Sequence, residues 1–159
     1  MLKIRAVKKS DIPALARIYK NAYDASGTGE SWSIKRAQEL LVFYYQTKTF
    51  IGLTAIYDEK ICGAFFSYVK PWWNGKYLAE GELFIHPKFQ GEKIGTALYL
   101  AMMKRALKEK CFFHALLAYK RASLWYKKIG LKETRLKHMS GDVRKIITAI
   151  KNNHENTQI

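Results

Sequence analysis

The sequence predicts a mixed α/β fold: a mostly antiparallel sheet of six to seven strands, a central parallel pair, and helices on both faces. Three observations carry this. Short apolar runs of strand type recur between stretches with helical spacing. Asp58-Glu59 and Asn74-Gly75 are turn signals that join neighbouring strand runs as hairpins. A helical stretch separates the strand runs at 77–86 and 112–119, which makes that pair parallel with a right-handed crossover.

LKIRAV, residues 2–7, reads as a strand. Ser10 and Asp11 then cap a helix with Pro13 in its first turn and Ile12, Leu15, Ile18, Ala22 and Tyr23 on its apolar face. ASGTGESWS, residues 25–33, is a loop. Its Ser33 caps a second helix to about Tyr45, with Ala37, Leu40, Leu41 and Tyr44 inward. TFIGLTAIY (49–57), KICGAFFSYV (60–69) and YLAEGELFIH (77–86) are strands, the last stopped by Pro87. Ile94, Ala97, Leu98, Ala101, Met102 and Leu107 stripe a helix that runs to about Lys110. FFHALLAY (112–119) is a buried-type strand, and a short helix over about 122–128 stops at Gly130. Val143, Ile146, Ile147 and Ile150 have helical spacing. Their β-branched character and the Ser140-Gly141 turn favour instead a strand pair, 132–139 with 142–150. One domain over 1–152 with a frayed tail at 153–159 is expected.

Apolar content of 48% and aromatic content of 14% exclude general disorder. No apolar run reaches the roughly 18 residues of a membrane span. The N-terminus MLKIRAVKKSD lacks a signal peptide's apolar segment, so a cytoplasmic protein without a membrane partner is expected. Cys62 and Cys111 lie in separate apolar runs with no metal-type spacing, and read as buried thiols in a reducing compartment. The net charge of +15 calls for an anionic partner: nucleic acid such as RNA, an anionic surface, or a polyphosphorylated small molecule. The lysines are spread rather than blocked, so solubility alone accounts for the charge equally well.

The stretch HPKFQGEKIGTALYLAM, residues 86–102, carries the chemistry. A strand ends at Pro87, Gly91 and Gly95 punctuate a turn, and a helix opens. Such a turn aims consecutive N–H groups at phosphate. Neither the Walker A nor the triple-glycine dinucleotide signature is present. Taken alone, the glycines also suit an ordinary strand-to-helix turn.

With its flanks, LFIHPKFQGEKIGTAL resembles the acetyl-CoA-binding motif of the GNAT family of N-acetyltransferases: Leu83, Ile85, Pro87, Gln90, Ile94, Gly95 and Leu98 fall in register. ASLWYKKIGL, residues 122–131, resembles a second family segment, and IRAVKKSDIPALARIY resembles the family's opening strand and helix. The likeness covers most of the chain, in order. Lys93 departs from it by replacing a glycine, and Tyr119 by standing where many members carry an asparagine that bonds the pantetheine arm. Lysine at position 93 keeps its backbone donor. It costs little in a helical conformation and on the order of 1 kcal/mol in a left-handed one.

The resemblance implies transfer of acetyl from acetyl-CoA to a primary amine, with no metal, by direct attack in a ternary complex. It places backbone groups of Leu83, Phe84 and Ile85 along the pantetheine arm, with the Ile85 region polarising the thioester carbonyl. Gln90, Gly91, Glu92, Lys93, Ile94, Gly95 and Thr96 would cradle the pyrophosphate, with Tyr119 and Tyr126 also at the cofactor. Tyr126 would protonate the leaving thiolate; as a helix aromatic it also suits a core position. The base would be Glu80 or Glu82, which share a strand face unless a bulge intervenes. Both carboxylates also suit a solvated strand. Trp72 and Trp73 would wall the acceptor with Glu80, or simply pack a hairpin, and His86 is structural or cofactor-adjacent. Two other functions fit the sequence: a basic nucleic-acid-interacting domain, including one that acetylates aminoacyl-tRNA, and a non-catalytic acyl-CoA sensor. A homodimer is a further expectation.

Overall fold

The structure, a computed structural model, describes residues 1–155. They divide into two compact units, Met1–Tyr119 and the segment from Lys120 onward.

The first unit is a five-stranded sheet in sequence order: β1 (Leu2–Ala6), β2 (Phe50–Tyr57), β3 (Lys60–Trp72), β4 (Gly75–Ile85) and β5 (Cys111–Ala115). Neighbours are antiparallel except β4 and β5, which are parallel. Asp58 and Glu59 turn β2 into β3 with φ of 45° and 64°, as a type I′ hairpin requires. Helices α1 (Ile12–Asp24) and α2 (Ile34–Gln46) cover one face, and α3 (Ile94–Lys108) covers the other.

Alternation assigns the faces from Ala64 to Phe66, and a bulge in β3 opposite Ala55 and Ile56 turns Cys62 to the same face as Phe65. Ala64 and Phe66 pack with Leu15, Tyr19 and Leu41 under α1 and α2. Cys62 packs with Ile94 and Leu98 of α3, and Phe65 stacks on Tyr99 at 5.6 Å. Both cysteines are buried free thiols, with pKa pushed up by burial.

Arg5 and Asp11 tie β1 to the start of α1. Arg5 Nη1 donates to Asp11 Oδ2 at 2.6 Å and Nη2 to Oδ1 at 2.9 Å; the Lys8 N–H adds a bond of 2.8 Å. The Arg5 bonds outweigh burial and hold the Asp11 carboxyl below its ordinary range. A depressed folded pKa gives stability that is present above the unfolded carboxylate pKa and lost as pH falls through the folded one. Asp11→Asn is therefore expected to lose about 2 kcal/mol at neutral pH and nothing in strong acid, read from urea midpoints.

The second unit holds α4 (Lys120–Lys128) and α5 (Val143–Glu155). The end of α4 is a Schellman motif: Leu131 N–H donates to Tyr126 O and Gly130 N–H to Lys127 O, each at 3.1 Å. Here the structure corrects the sequence reading, because 142–150 is not a strand. Asp142 caps α5, its Oδ1 accepting from the N–H of Arg144 at 2.8 Å and of Lys145 at 3.3 Å. The cap and the 3.6-residue spacing of Val143, Ile146, Ile147 and Ile150 outweigh β-branching, a weak prior. Residues 132–139 also form no strand, and β5 ends at Ala115 rather than 119. Among the described residues the sheet therefore has five strands, and its parallel pair lies at the edge rather than the centre. Of the expected frayed tail, the backbone is helical through Glu155, and 156–159 lie outside the described residues. No helix of the described residues is long and apolar enough to cross a membrane.

Candidate active site

Strand β4 is bulged in its middle. Phe66 opposes Glu82 and Tyr68 opposes Ala79, so Ser67 alone faces Glu80 and Gly81. Glu80 has φ 24° and Gly81 φ 139°. The buried Ser67 hydroxyl lies 2.6 Å from Ala79 O and 3.0 Å from Glu80 O, which fixes the bulge. The extra residue separates the two carboxylates that plain alternation puts on one face. Glu80 is exposed, whereas Glu82 turns under α1 beside Phe84.

Around Glu82 the structure assembles groups that the sequence reading did not connect. Tyr19 Oη donates to Glu82 Oε2 at 3.0 Å and Tyr23 Oη to the same oxygen at 3.2 Å. Burial pushes the Glu82 carboxyl up; the two phenol bonds oppose this, and the charges of Glu30 and Glu80 add to it. Burial and the nearby Glu82 charge hold both tyrosines protonated, well above their ordinary range. Trp32 closes the cluster, its ring edge-on to Tyr19 at 5.1 Å and its Nε1–H donating to Glu30 Oε2 at 2.6 Å. Tyr119 donates to Glu30 Oε1, so its hydroxyl engages the loop between α1 and α2. The available signal was Tyr19 and Tyr23 four residues apart on α1.

Beyond the bulge, β4 has one open edge. The β4–β5 ladder ends at Ala79 opposite Ala115. On the other side, His86 N–H donates to Cys62 O at 2.8 Å. Alternation from that pair turns the polar groups of Phe84 and Glu82 toward β3, and those of Leu83 and Ile85 away from it. Leu83 and Ile85 thus present N–H and C=O groups along an edge with no strand partner among the described residues; Phe84 does not. The Gln90 side chain donates to Ile85 O at 3.0 Å.

This edge runs into a short 3-10 turn, Pro87–Phe89, and then α3. His86 Nδ1 accepts from Lys88 N–H at 3.2 Å and starts the turn, a structural position. Gly91 has φ 90°, and Lys93, the N-cap of α3, is left-handed at φ 58° and ψ 10° without a side-chain cap. The first helical bond is Ala97 N–H to Lys93 O. The N–H groups of Ile94, Gly95 and Thr96 precede it and face outward at the positive end of the helix dipole. Lys93 occupies the costlier of its two conformations. Lys93→Gly is expected to raise stability by up to about 1 kcal/mol, read from urea unfolding.

Two other expected site residues lie apart. Trp72 and Trp73 sit at the β3–β4 hairpin, roughly 20 Å along β4 from Glu82. Trp73 is 86% exposed, and Trp72 packs on Tyr77 under Lys70. The structure does not bring either to Glu82. Tyr126 lies on α4, in the second unit, against Trp125. Among the described residues, no three His, Cys, Asp or Glu side chains form a metal-type group.

A bulged strand next to the sheet edge, an open edge beyond the parallel pair and a helix N-terminus without a side-chain cap lie in sequence along β4 and α3. Residues 12–131 match the model of the acetyltransferase (GNAT) family, and the chain belongs to that family. No curated protein matches the chain. Its fold is similar to a predicted acetyltransferase from Clostridium acetobutylicum crystallised with acetyl-CoA, at 17% identity and TM-score 0.74, covering 91% of this chain and 98% of that one. It is also similar to a possible acetyltransferase from Clostridium difficile, at 13% identity and TM-score 0.76 over 90% and 98% of the two chains. A third similar structure is glucosamine-6-phosphate N-acetyltransferase from Arabidopsis thaliana, at 16% identity and TM-score 0.66 over 90% and 99%.

Proposed function

We propose that this acetyltransferase takes acetyl from acetyl-CoA and delivers it to a primary amine by direct attack in a ternary complex. The continuity of the open β4 edge at Leu83 and Ile85 with the uncapped N-terminus of α3 carries this reading. An extended amide-bearing arm fits the first, and a pyrophosphate fits the second.

Gly95 supports the fit. A Cβ built there meets only Ile85 Cγ1, at 3.8 Å, so the fold has room for alanine. The glycine keeps the approach to the α3 N–H groups open. Gly95→Ala is expected to weaken acetyl-CoA binding by about tenfold or more, measured by calorimetry, without lowering stability, since alanine is favoured over glycine in a helix by about 1 kcal/mol.

Acetyl-CoA supplies an activated acyl carbon and a thiolate leaving group. Leu83 and Ile85 orient its arm, and Ile85 lies where the thioester carbonyl is polarised. Gln90 to Thr96 hold the pyrophosphate, with Lys93 adding positive charge. Glu82 takes the proton of the acceptor amine, because its raised pKa suits a base working near neutral pH. Tyr126 returns a proton to the thiolate, a role that rests on its match to the family segment.

Thiol release from acetyl-CoA, followed across small primary amines, peptides and aminoacyl-tRNA, tests the reading. Acceptor-dependent release is expected. Binding of acetyl-CoA without release on any acceptor would favour a sensor, and no binding would end the reading.

A further inference from the structure

We propose that Tyr19 and Tyr23 are positioning residues: their hydroxyls converge on Oε2 of Glu82, lock that carboxylate on the bulged strand and leave Oε1 to receive the acceptor's proton. This rests on the reading of Glu82 as base. It names the device that makes a carboxylate under α1 usable.

The geometry argues for more than satisfaction of a half-buried group. A buried carboxylate with two oxygens would be best satisfied by one donor on each. Here both donors go to one oxygen, at 3.0 and 3.2 Å, and Oε1 has no protein donor among the described residues. The donors are themselves fixed. The Tyr19 ring is 1% exposed, stacks on Tyr23 at 4.6 Å and meets Phe84 edge-on at 5.0 Å. Neither phenol can yield its proton at working pH, so both remain donors. Hydrogen bonds to an ionised carboxylate favour that form. The pair therefore keeps Glu82 charged and ready against the burial that would protonate it.

The balance of the step is simple. The lone pair of the neutral acceptor amine forms the C–N bond, the C–S bond breaks with its electron pair leaving on the CoA sulfur as a thiolate, and one proton passes from the acceptor nitrogen to Glu82 Oε1. The phenol protons stay in place. The other titratable groups facing Glu82 are Glu30 from the α1–α2 loop, Glu80 on β4 and Tyr44 on α2. Glu30 and Glu80 raise the Glu82 pKa, opposite to the two phenols.

Tyr19→Phe and Tyr23→Phe keep the rings and remove only the hydroxyls. Two readouts are compared with wild type: carbon-detected NMR titration of the Glu82 carboxyl, and the pH profile of kcat/KM. Each variant is expected to fold and to bind acetyl-CoA as wild type does. Its Glu82 titration and the acidic limb of its rate profile should both move to higher pH. The rate on that limb should fall by about tenfold for each phenol removed. In a Glu82→Gln background, Tyr23→Phe should have no further effect on rate. An unmoved carboxyl titration would overturn the proposal, as would a moved titration with an unmoved rate profile. Failure of the wild-type protein to bind acetyl-CoA would instead overturn the donor reading, and the carboxyl titration would still report whether the phenols hold Glu82.

Discussion

Glu82→Gln is expected to lower kcat by at least about a hundredfold, the usual contribution of a general base, while acetyl-CoA affinity stays within about twofold of wild type. Glutamine keeps the volume and accepts the bonds from Tyr19 and Tyr23 through its carbonyl oxygen, so the cluster under α1 should remain packed. It cannot take a proton at working pH. The pH profile supplies a second reading. The active form is the carboxylate, and burial has raised its pKa, so activity should fall as pH drops through a value above the ordinary glutamate range. Glu80→Gln serves as the comparison. Glu80 is exposed, and its replacement should change kcat by less than about tenfold, the scale of one exposed charge. Equal losses in the two variants would remove Glu82 from its role.

Gly81→Ala is expected to lower stability by about 3 kcal/mol or more, through the strain that a side chain meets at this backbone conformation and the contact it makes. At φ 139° a side chain is strained before any contact is counted. A Cβ would also stand 2.5 Å from Phe66 O, 3.0 Å from Phe65 Cε2 and 3.2 Å from Ser67 Cβ. The Phe66 oxygen is backbone in the β3–β4 ladder and has nowhere to move. Relief would mean losing the bulge, which would rotate Glu82 away from the tyrosines. Loss of activity should therefore exceed the loss of folded protein. Urea unfolding and specific activity per folded molecule measure the two effects separately. A Gly81→Ala protein as stable as wild type would show that the bulge is not fixed by this glycine.

The parts of this molecule that were legible in the sequence are those written in local signals. Ser33 caps α2 as its spacing implies, its Oγ accepting from Arg36 N–H at 3.1 Å. Pro87 stops β4 just before the phosphate-type turn. The misreading of α5 had a physical cause. β-branching and the Ser140-Gly141 turn point to a strand over 142–150, whereas Asp142 is the cap that starts a helix. Which of Glu80 and Glu82 turns under α1 was not legible, because a one-residue bulge decides it. That bulge depends on Ser67 and Gly81, which lie on different strands. Tyr23 was visible only as part of an apolar face. Its hydroxyl gains meaning from a carboxylate 59 residues away.

The groups proposed to meet acetyl-CoA are the backbone of Leu83 and Ile85 and the start of α3. Amide resonances followed by NMR during titration with acetyl-CoA test them directly. Saturable shifts at Leu83, Ile85 and the Lys93–Thr96 segment, with Phe84 less affected because its amide pairs with β3, are the predicted result. Saturable shifts confined to other parts of the chain, or no shifts at all, would contradict it.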